Sequence, residues 1–371
     1  MEKLSILGIR GIPAKHGGFE TFAEKLALYM VNSGWAVSVY CQDEKVKKIE
    51  IEIWKGVELI KIPSKNDGAL DTIIFDYKAI QIAKKTSGIF LTLGYNTAIF
   101  CALLKINNKL NIINMDGLEW KRRKYNQLEK LWLYINERLG LIFPSHVIAD
   151  NPVIEKRIKK IAPLVRPITM IPYGADRPNN ILSQDKQINT LCSLGINSSE
   201  YVLIIARPVE ENNIYEVVQA FSNKRRNHKL VILGEYGSSV EYQRKVLNIA
   251  GSEVLFLGAI YDKRRLDILR SNARLYIHGH SVGGTNPALV EAMSAGLPVL
   301  AHNNPFNRWV AGDDAHYFLN EAELDQELDA LLYNNEEIKK MSIYSLNRFN
   351  KNFRWNKILD KYEKVFYSYI N

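Results

Sequence analysis

Cysteine is scarce in this chain, and what little there is excludes several architectures. Cys41, Cys101 and Cys192 are the only three in 371 residues. Their spacing fits no disulfide framework, zinc knuckle or Cys-x-x-C redox pair, so a reduced cytosolic protein is expected. Long apolar runs are also missing. Residues 86–104 carry no charge and are long enough to span a membrane. Gly88, Gly94, Asn96 and several hydroxyls interrupt them, so strand, turn and buried helix is the expectation. The opening MEKLSILGIRGIP reads as a strand and a turn, not as a signal peptide. Zinc-finger and RNP patterns and a disordered basic tail are absent, which argues against a nucleic-acid partner.

What is present is an ordinary globular composition, 47% hydrophobic and 24% charged, long enough for two domains. The formal net charge is +9. Such a field favours anionic partners: nucleotide phosphates or an acidic membrane face.

The first half alternates strands and helices. Leu4–Arg10 reads as a strand, Gly11–Gly18 (GIPAKHGG) as a glycine-rich loop, and 19–33 as a helix with Phe19, Phe22, Ala23, Leu26 and Met30 on one face. Strands are expected at 36–42, 57–63, 88–93, 110–115, 146–150 and 168–172. This is the opening of a doubly wound sheet, but the spacing is not the dinucleotide G-x-G-x-x-G. Gly17 and Gly18 would let the backbone come close to a ligand at the helix start. Asp116 and Asp150 fall at strand carboxyl ends, where α/β proteins gather their chemistry; an Asx turn before Gly117 is the alternative for Asp116. Residues 119–143 read as a basic, aromatic amphipathic helix. Trp120, Lys121, Arg122, Arg123 and Lys124 at its start fit an anionic membrane surface.

Near residue 173 the texture changes, and 177–190 is polar and loop-like. The pattern then restarts with strands at 201–206, 229–233 and 254–257. Residues 274–303 form its most informative stretch: a strand, a glycine-rich turn from His280, a helix capped by Asn286 and Pro287, and a strand after Gly296 and Pro298. A helix N-terminus at a strand's carboxyl end offers free N–H groups and a positive dipole end to phosphate. Glu291 sits about one turn inside it. The tail 355–370 is an amphipathic helix expected to pack back on the first domain.

GIRGIPAKHGGFETF at 8–22, IPYGAD at 171–176, ARPVEENNI at 206–214 and GHSVGGTNPALVEAMSAGLPV at 279–299 occur in order across both halves. Together they resemble the family-4 retaining glycosyltransferases, most closely the bacterial branch that builds rhamnose polysaccharides of capsule and cell wall. The resemblance implies an α/β, GT-B architecture of two Rossmann-like domains facing across a cleft. The acceptor domain would be 1–172 plus the C-terminal helix 355–371, and the nucleotide-sugar domain 173–354. It implies dTDP-β-L-rhamnose as donor and a polyprenyl-diphosphate-linked glucose or N-acetylglucosamine as acceptor, at the inner face of the cell membrane.

By position, Gly17 and Gly18 match the loop near the donor phosphates, and Arg207 the phosphate-binding arginine. Gly284, Thr285 and Asn286 match the diphosphate loop, and Glu291 the glutamate that holds the ribose. Asp116 falls near a histidine that many members place beside the reacting sugar; Asp150 and His280 are further candidates. Two positions depart from the pattern. The first glutamate of the pair is Gly283, and the lysine five residues after Arg207 is Asn212. Both departures fit a changed donor. No cofactor and no metal are expected, since there is no clear Asp-x-Asp triplet and basic groups can carry the charge work. The same fold could serve a UDP-hexose transferase, a UDP-N-acetylglucosamine 2-epimerase or a non-catalytic partner subunit.

Overall fold

A computed structural model describes residues 1–15, 17–65, 68–163, 167–178 and 183–370. His16 of the glycine loop and residues 179–182 of the polar segment lie outside the described residues. By contact density the chain divides into two units. One comprises Met1–Lys121, Tyr125–Tyr173 and Trp355–Asn371; the other comprises Arg122–Lys124 and Gly174–Arg354.

The first unit runs β1 (Lys3–Leu7), α1 (Gly18–Asn32), β2 (Ala36–Asp43), β3 (Glu50–Trp54), β4 (Val57–Pro63), α2 (Ala69–Ala83), β5 (Ile89–Leu93), α3 (Cys101–Ile106), β6 (Leu110–Met115), α4 (Gln127–Ile142), β7 (His146–Ala149), α5 (Pro152–Ile161) and β8 (Ile168–Met170). Its sheet order is β3-β4-β2-β1-β5-β6-β7-β8. Every pairing is parallel except β3 with β4. Central strands such as Ile89–Leu93 are buried along their whole length, as parallel strands covered on both faces must be. The sequence reading did not anticipate β3. It is an edge strand, turned into β4 by Lys55 and Gly56 at φ 49° and 84°.

Helix α1 buries Phe22, Ala23, Leu26, Ala27 and Met30. The final helix, α14 (Trp355–Tyr367; numbered last in the chain), packs against it through Trp355, Tyr362 and Phe366. Phe22 lies 4.7 Å from the Tyr362 ring and 6.1 Å from Trp355, and Trp35 lies 6.0 Å from Phe366.

The second unit runs α6 (Gln184–Ser193), β9 (Tyr201–Ile205), α7 (Ile214–Ser222), β10 (Lys229–Leu233), α8 (Glu241–Asn248), β11 (Val254–Phe256), α9 (Lys263–Asn272), β12 (Leu275–His278), α10 (Pro287–Ser294), β13 (Val299–His302), α11 (Pro305–Ala311), β14 (His316–Phe318), α12 (Glu321–Leu332) and α13 (Asn335–Asn352). The sheet, β11-β10-β9-β12-β13-β14, is wholly parallel. Strand order reverses beside β9 and β12, and a doubly wound sheet gathers ligands at the carboxyl ends of such strands.

Two expectations need correction. The polar segment 177–190 is not all loop: its described part becomes helical at Gln184. Residues 119–143 are not one helix. A short 3-10 turn covers Glu119–Lys121, and α4 begins only after Asn126. Asn126 accepts from the Glu129 amide at 2.9 Å, while Glu129 accepts from the Asn126 amide at 2.8 Å. That capping box fixes the helix start and leaves the basic cluster outside it.

Candidate functional site

The second unit places Arg207 just after β9. Its side chain is exposed and has no partner among the described residues, while its carbonyl accepts from Asn212 Nδ2 at 2.8 Å. An unpaired guanidinium at a strand's carboxyl end is suited to a bidentate phosphate contact. Glu210–Asn212 form one 3-10 turn, and Asn213 follows with φ 50°. Asparagine tolerates that left-handed conformation, and its Nδ2 donates to the Gly279 carbonyl at 2.7 Å. Gly279 has a packing reason to be glycine: a Cβ there would run into the Asn212 carbonyl oxygen.

Loop 279–286 is therefore bolted to the turn after Arg207. Ser281 donates from its amide at 2.8 Å and from its hydroxyl at 2.9 Å, both to the Glu211 carbonyl. The His280 carbonyl accepts from Asn304 Nδ2 at 3.0 Å and from Asn307 Nδ2 at 2.8 Å. His280 Nδ1 lies 2.6 Å from Asn212 Oδ1. Gly283, at φ 140°, leaves room for that ring: a Cβ there would stand 3.0 Å from His280 Nε2. The two departures seen in the sequence thus meet on one side chain. Asn212 grips His280, and His280 fills the space beside Gly283.

Three imidazoles gather here. Burial, with nearby guanidinium charge, pushes His280 down to about 3. Burial, with the other two rings, pushes His278 well below the usual histidine range, and burial lowers His302. All three are neutral at physiological pH.

Gly284, Thr285 and Asn286 lead into α10. Asn286 Oδ1 caps the Ala288 amide at 2.9 Å, and Pro287 takes the first helical position. Glu291 does not stand free. Arg270 Nη2 on α9 holds its Oε2 in an ion pair, with Arg270 itself buried. The carboxylate is thus fixed in direction. Its other oxygen has no partner among the described residues.

Sequence reasoning missed Arg270, and it missed Glu211. Glu211 is 4% exposed and its Oε1 has no hydrogen-bond partner among the described residues. A buried carboxylate oxygen left unpaired is costly, so a ligand donor would be well received there. No spacing rule exposes either residue, because each matters through loops or helices distant in sequence.

The remaining candidates belong to the first unit or to the segment Arg122–Lys124. Gly17, at φ 102°, caps α1 and clears Glu20, whose Oε1 accepts from the Arg10 amide at 3.2 Å; Gly18 opens the helix. Asp116 Oδ1 accepts from the Gly117 amide at 2.8 Å, the Asx turn weighed as its alternative. Tyr95 pins that turn, donating to the Gly117 carbonyl at 3.0 Å and accepting from the Glu119 amide at 2.8 Å. Asp150 follows β7 and is part-buried. Trp120 is packed, 5.4 Å edge-on to Tyr134 and 5.5 Å from Lys121 Nζ. Lys121 and Lys124 are exposed and Arg122 is half-buried; Arg123 pairs with Glu210 at 3.1 Å. Among the described residues no helix is long and apolar enough to cross a membrane.

Residues 1–176 match a family described as "Domain of unknown function (DUF1972)", and 193–348 match "Glycosyl transferases group 1". The chain is 25% identical over 312 residues to alpha-monoglucosyldiacylglycerol synthase of Streptococcus pneumoniae, covering 78% of this chain and 68% of that one. In fold it is similar to sucrose-phosphate synthase from Thermosynechococcus elongatus, with a TM-score of 0.83 at 15% identity over 100% of this chain and 99% of that one. It is also similar to Anabaena Alr3699/HepE in complex with UDP-glucose, with a TM-score of 0.78 at 14% identity over 99% and 100%. The chain has the two-domain α/β GT-B fold, and its residues 193–348 match the group 1 glycosyltransferases.

Proposed function

We propose that the chain moves L-rhamnose, with retention, from dTDP-β-L-rhamnose to a polyprenyl-diphosphate-linked glucose or N-acetylglucosamine at the inner face of the cytoplasmic membrane. The observation that carries the donor assignment is the neutral Asn212–His280 pair beside Gly283, where the resemblance expects a lysine and a glutamate. A deoxy-sugar lacks the 6-hydroxyl and presents different edges, so a changed set of contacts fits a changed donor.

In this reading Arg207 and the N-terminus of α10 bind the diphosphate and stabilise charge as it leaves. The C1–O bond breaks, its electron pair going to the phosphate oxygen. The acceptor hydroxyl bonds to C1 from the same face, and its proton passes to the departing phosphate. Glu291, aimed by Arg270, takes the ribose hydroxyls. Asp116 is assigned to the acceptor. The lipid-linked acceptor is supported by the exposed apolar row on α4, where Leu128 is 78% exposed.

A second reading, transfer from UDP-glucose, is favoured by the UDP-glucose named for the Anabaena structure and by the glucosyl product named for the streptococcal relative. The deciding assay offers dTDP-rhamnose, UDP-glucose and UDP-N-acetylglucosamine with glucosyl- and N-acetylglucosaminyl-diphospholipids, with and without a chelator. Chelator-resistant rhamnose transfer is expected, falling roughly 10²–10³-fold in Arg207→Ala, the range seen when one charge-stabilising donor is lost. Transfer from a UDP-sugar alone would move the donor to the second reading.

A further inference from the structure

Strand β3 is the outermost strand of the first sheet, and no described strand pairs with its far edge. Its pairing with β4 fixes what that edge presents. Trp54 lies opposite Val57 across a two-residue turn, so these two exchange backbone hydrogen bonds. The antiparallel alternation gives the same bonds to Glu52 with Leu59 and to Glu50 with Lys61. Ile51 and Ile53 fall between these pairs. Their N–H and C=O groups point away from β4, and no backbone group of the described residues takes them up.

The same two residues carry exposed apolar side chains. Ile51 and Ile53 are 65% and 66% exposed, and Ile49, on the same face by the two-residue period, is 50% exposed. Ile49 also lines a recess of about 460 Å³ with Ile62, Pro63 and Ile82. An edge that offers free backbone groups together with β-branched apolar side chains is a template for a further strand.

The register of the edge selects the occupant. Laid antiparallel to a copy of itself, β3 sets Ile51 opposite the partner's Ile53 and Ile53 opposite the partner's Ile51. Each pair can exchange both of its outward backbone hydrogen bonds. The arrangement is two-fold symmetric about Glu52, as a closed dimer requires, and it joins four isoleucines on one face. Glu50 then lies opposite the partner's Trp54, and only Glu52 meets its like. Lys61 Nζ stands 2.6 Å from Glu52 Oε2 and offsets that charge in each copy. We propose that β3 pairs with β3 of a second copy of the chain, joining two eight-stranded sheets edge to edge. The proposal needs neither the donor nor the acceptor assignment above. Five residues span only about 17 Å, so the dimer is concentration-dependent, half-associated at or below about 100 µM.

The test is sedimentation velocity on the full chain over a range of concentrations, with cysteine crosslinking to read the register. Ile51→Lys with Ile53→Lys places like charges at both isoleucine pairs and should weaken association roughly tenfold or more. Both side chains face outward, so the melting temperature should hold. For crosslinking, Cys192, the exposed one of the three cysteines, is first replaced by serine. Directly opposed residues of an antiparallel pair stand about 4.5–5.5 Å apart at Cα, within disulfide reach. Glu52→Cys, opposite its own copy, should therefore crosslink by itself under mild oxidation. Ile51→Cys and Ile53→Cys should crosslink only when the two variants are mixed. A wild type still monomeric at about 100 µM would overturn the proposal. So would a double lysine variant that associates like the wild type, or Ile51→Cys crosslinking alone as readily as Glu52→Cys. A monomeric wild type whose vesicle binding is lost in the double lysine variant would give the strand to a bilayer and overturn the dimer.

Discussion

Asn114 Nδ2 at the end of β6 donates to the Tyr362 hydroxyl at 2.5 Å, across 248 residues of chain. Tyr362 is 1% exposed and Asn114 5%, so this bond joins the C-terminal helix to the middle of the first sheet away from water. Asn114 Oδ1 has no partner among the described residues. Tyr362→Phe would leave the amide without its acceptor at Nδ2 while keeping the ring packed on Phe22. A cost of about 1–3 kcal/mol is expected, the desolvation penalty of a buried donor. In thermal unfolding this is a fall of about 2–4 °C per kcal/mol for a unit of this size. An unchanged melting temperature would show that Asn114 finds another partner.

The Arg270–Glu291 pair separates stability from binding. Glu291→Gln keeps an acceptor for the buried guanidinium, so the fold should lose less than about 1 kcal/mol, while nucleotide affinity drops roughly tenfold or more. Arg270→Leu frees Glu291 and should reduce both affinity and melting temperature. If Arg270→Leu leaves nucleotide binding intact, the direction of Glu291 is not what the ligand needs. Calorimetry with dTDP or UDP and a melting curve on each variant are sufficient.

The sequence carried the periodic elements and the strand-end landmarks. Leu4–Leu7, Ile89–Leu93 and Tyr201–Ile205 are apolar runs interrupted only by Ser5 and Thr92, and the family resemblance singled out Arg207 and Glu291. What it did not carry depends on apposition. The contact that orients His280 comes from Asn212, 68 residues earlier, and no local pattern shows it. The misread helix at 119–143 did have a local signal, the Asn126-x-x-Glu129 box, which the aromatic and basic pattern overshadowed. Strand β3 was hidden because its edge position leaves Ile51 and Ile53 exposed, with no core to mark them.

His146 on β7 gives the first unit a pH dependence. Its ring lies between the Tyr369 hydroxyl at 3.0 Å and Thr169 Oγ1 at 2.9 Å, and burial pushes it down to about 4. In the unfolded chain it titrates near the ordinary value of about 6.5. Between these two values the unfolded chain holds a proton that the folded one does not. Stability is therefore full above about pH 6.5 and falls as pH drops toward 4. His146→Gln removes the titration, so its melting temperature should depend less on pH across that window, even if it is lower at neutral pH. A slope identical to the wild type would assign the dependence to the imidazoles of the second unit.

The membrane assignment turns on α4, not on the basic cluster that precedes it. Leu128, Leu131, Ile135 and Ile142 recur on one face and are 78%, 55%, 45% and 51% exposed. The opposite face, with Leu133, Gly140 and Leu141, is buried. Exposed Ile106 on α3 is 76% accessible, and Lys105 beside it donates to the Ile142 carbonyl at 3.1 Å. Arg138 lies over the Tyr134 ring at 3.1 Å. Apolar side chains flanked by cations suit the boundary of an anionic bilayer. Arg123 is already paired and Trp120 already packed, so neutralising residues 121–124 should weaken vesicle binding less than blunting the apolar row. Burying one leucine is worth about 1.5–3 kcal/mol, so Leu128→Ser with Leu131→Ser should lower the partition onto anionic vesicles by roughly tenfold or more. Because both side chains face outward, the melting temperature should hold. Cosedimentation with anionic and with neutral vesicles reads both terms: the apolar loss appears on each, the electrostatic loss only on the anionic ones. If the double variant binds anionic vesicles like the wild type, α4 is not the docking face.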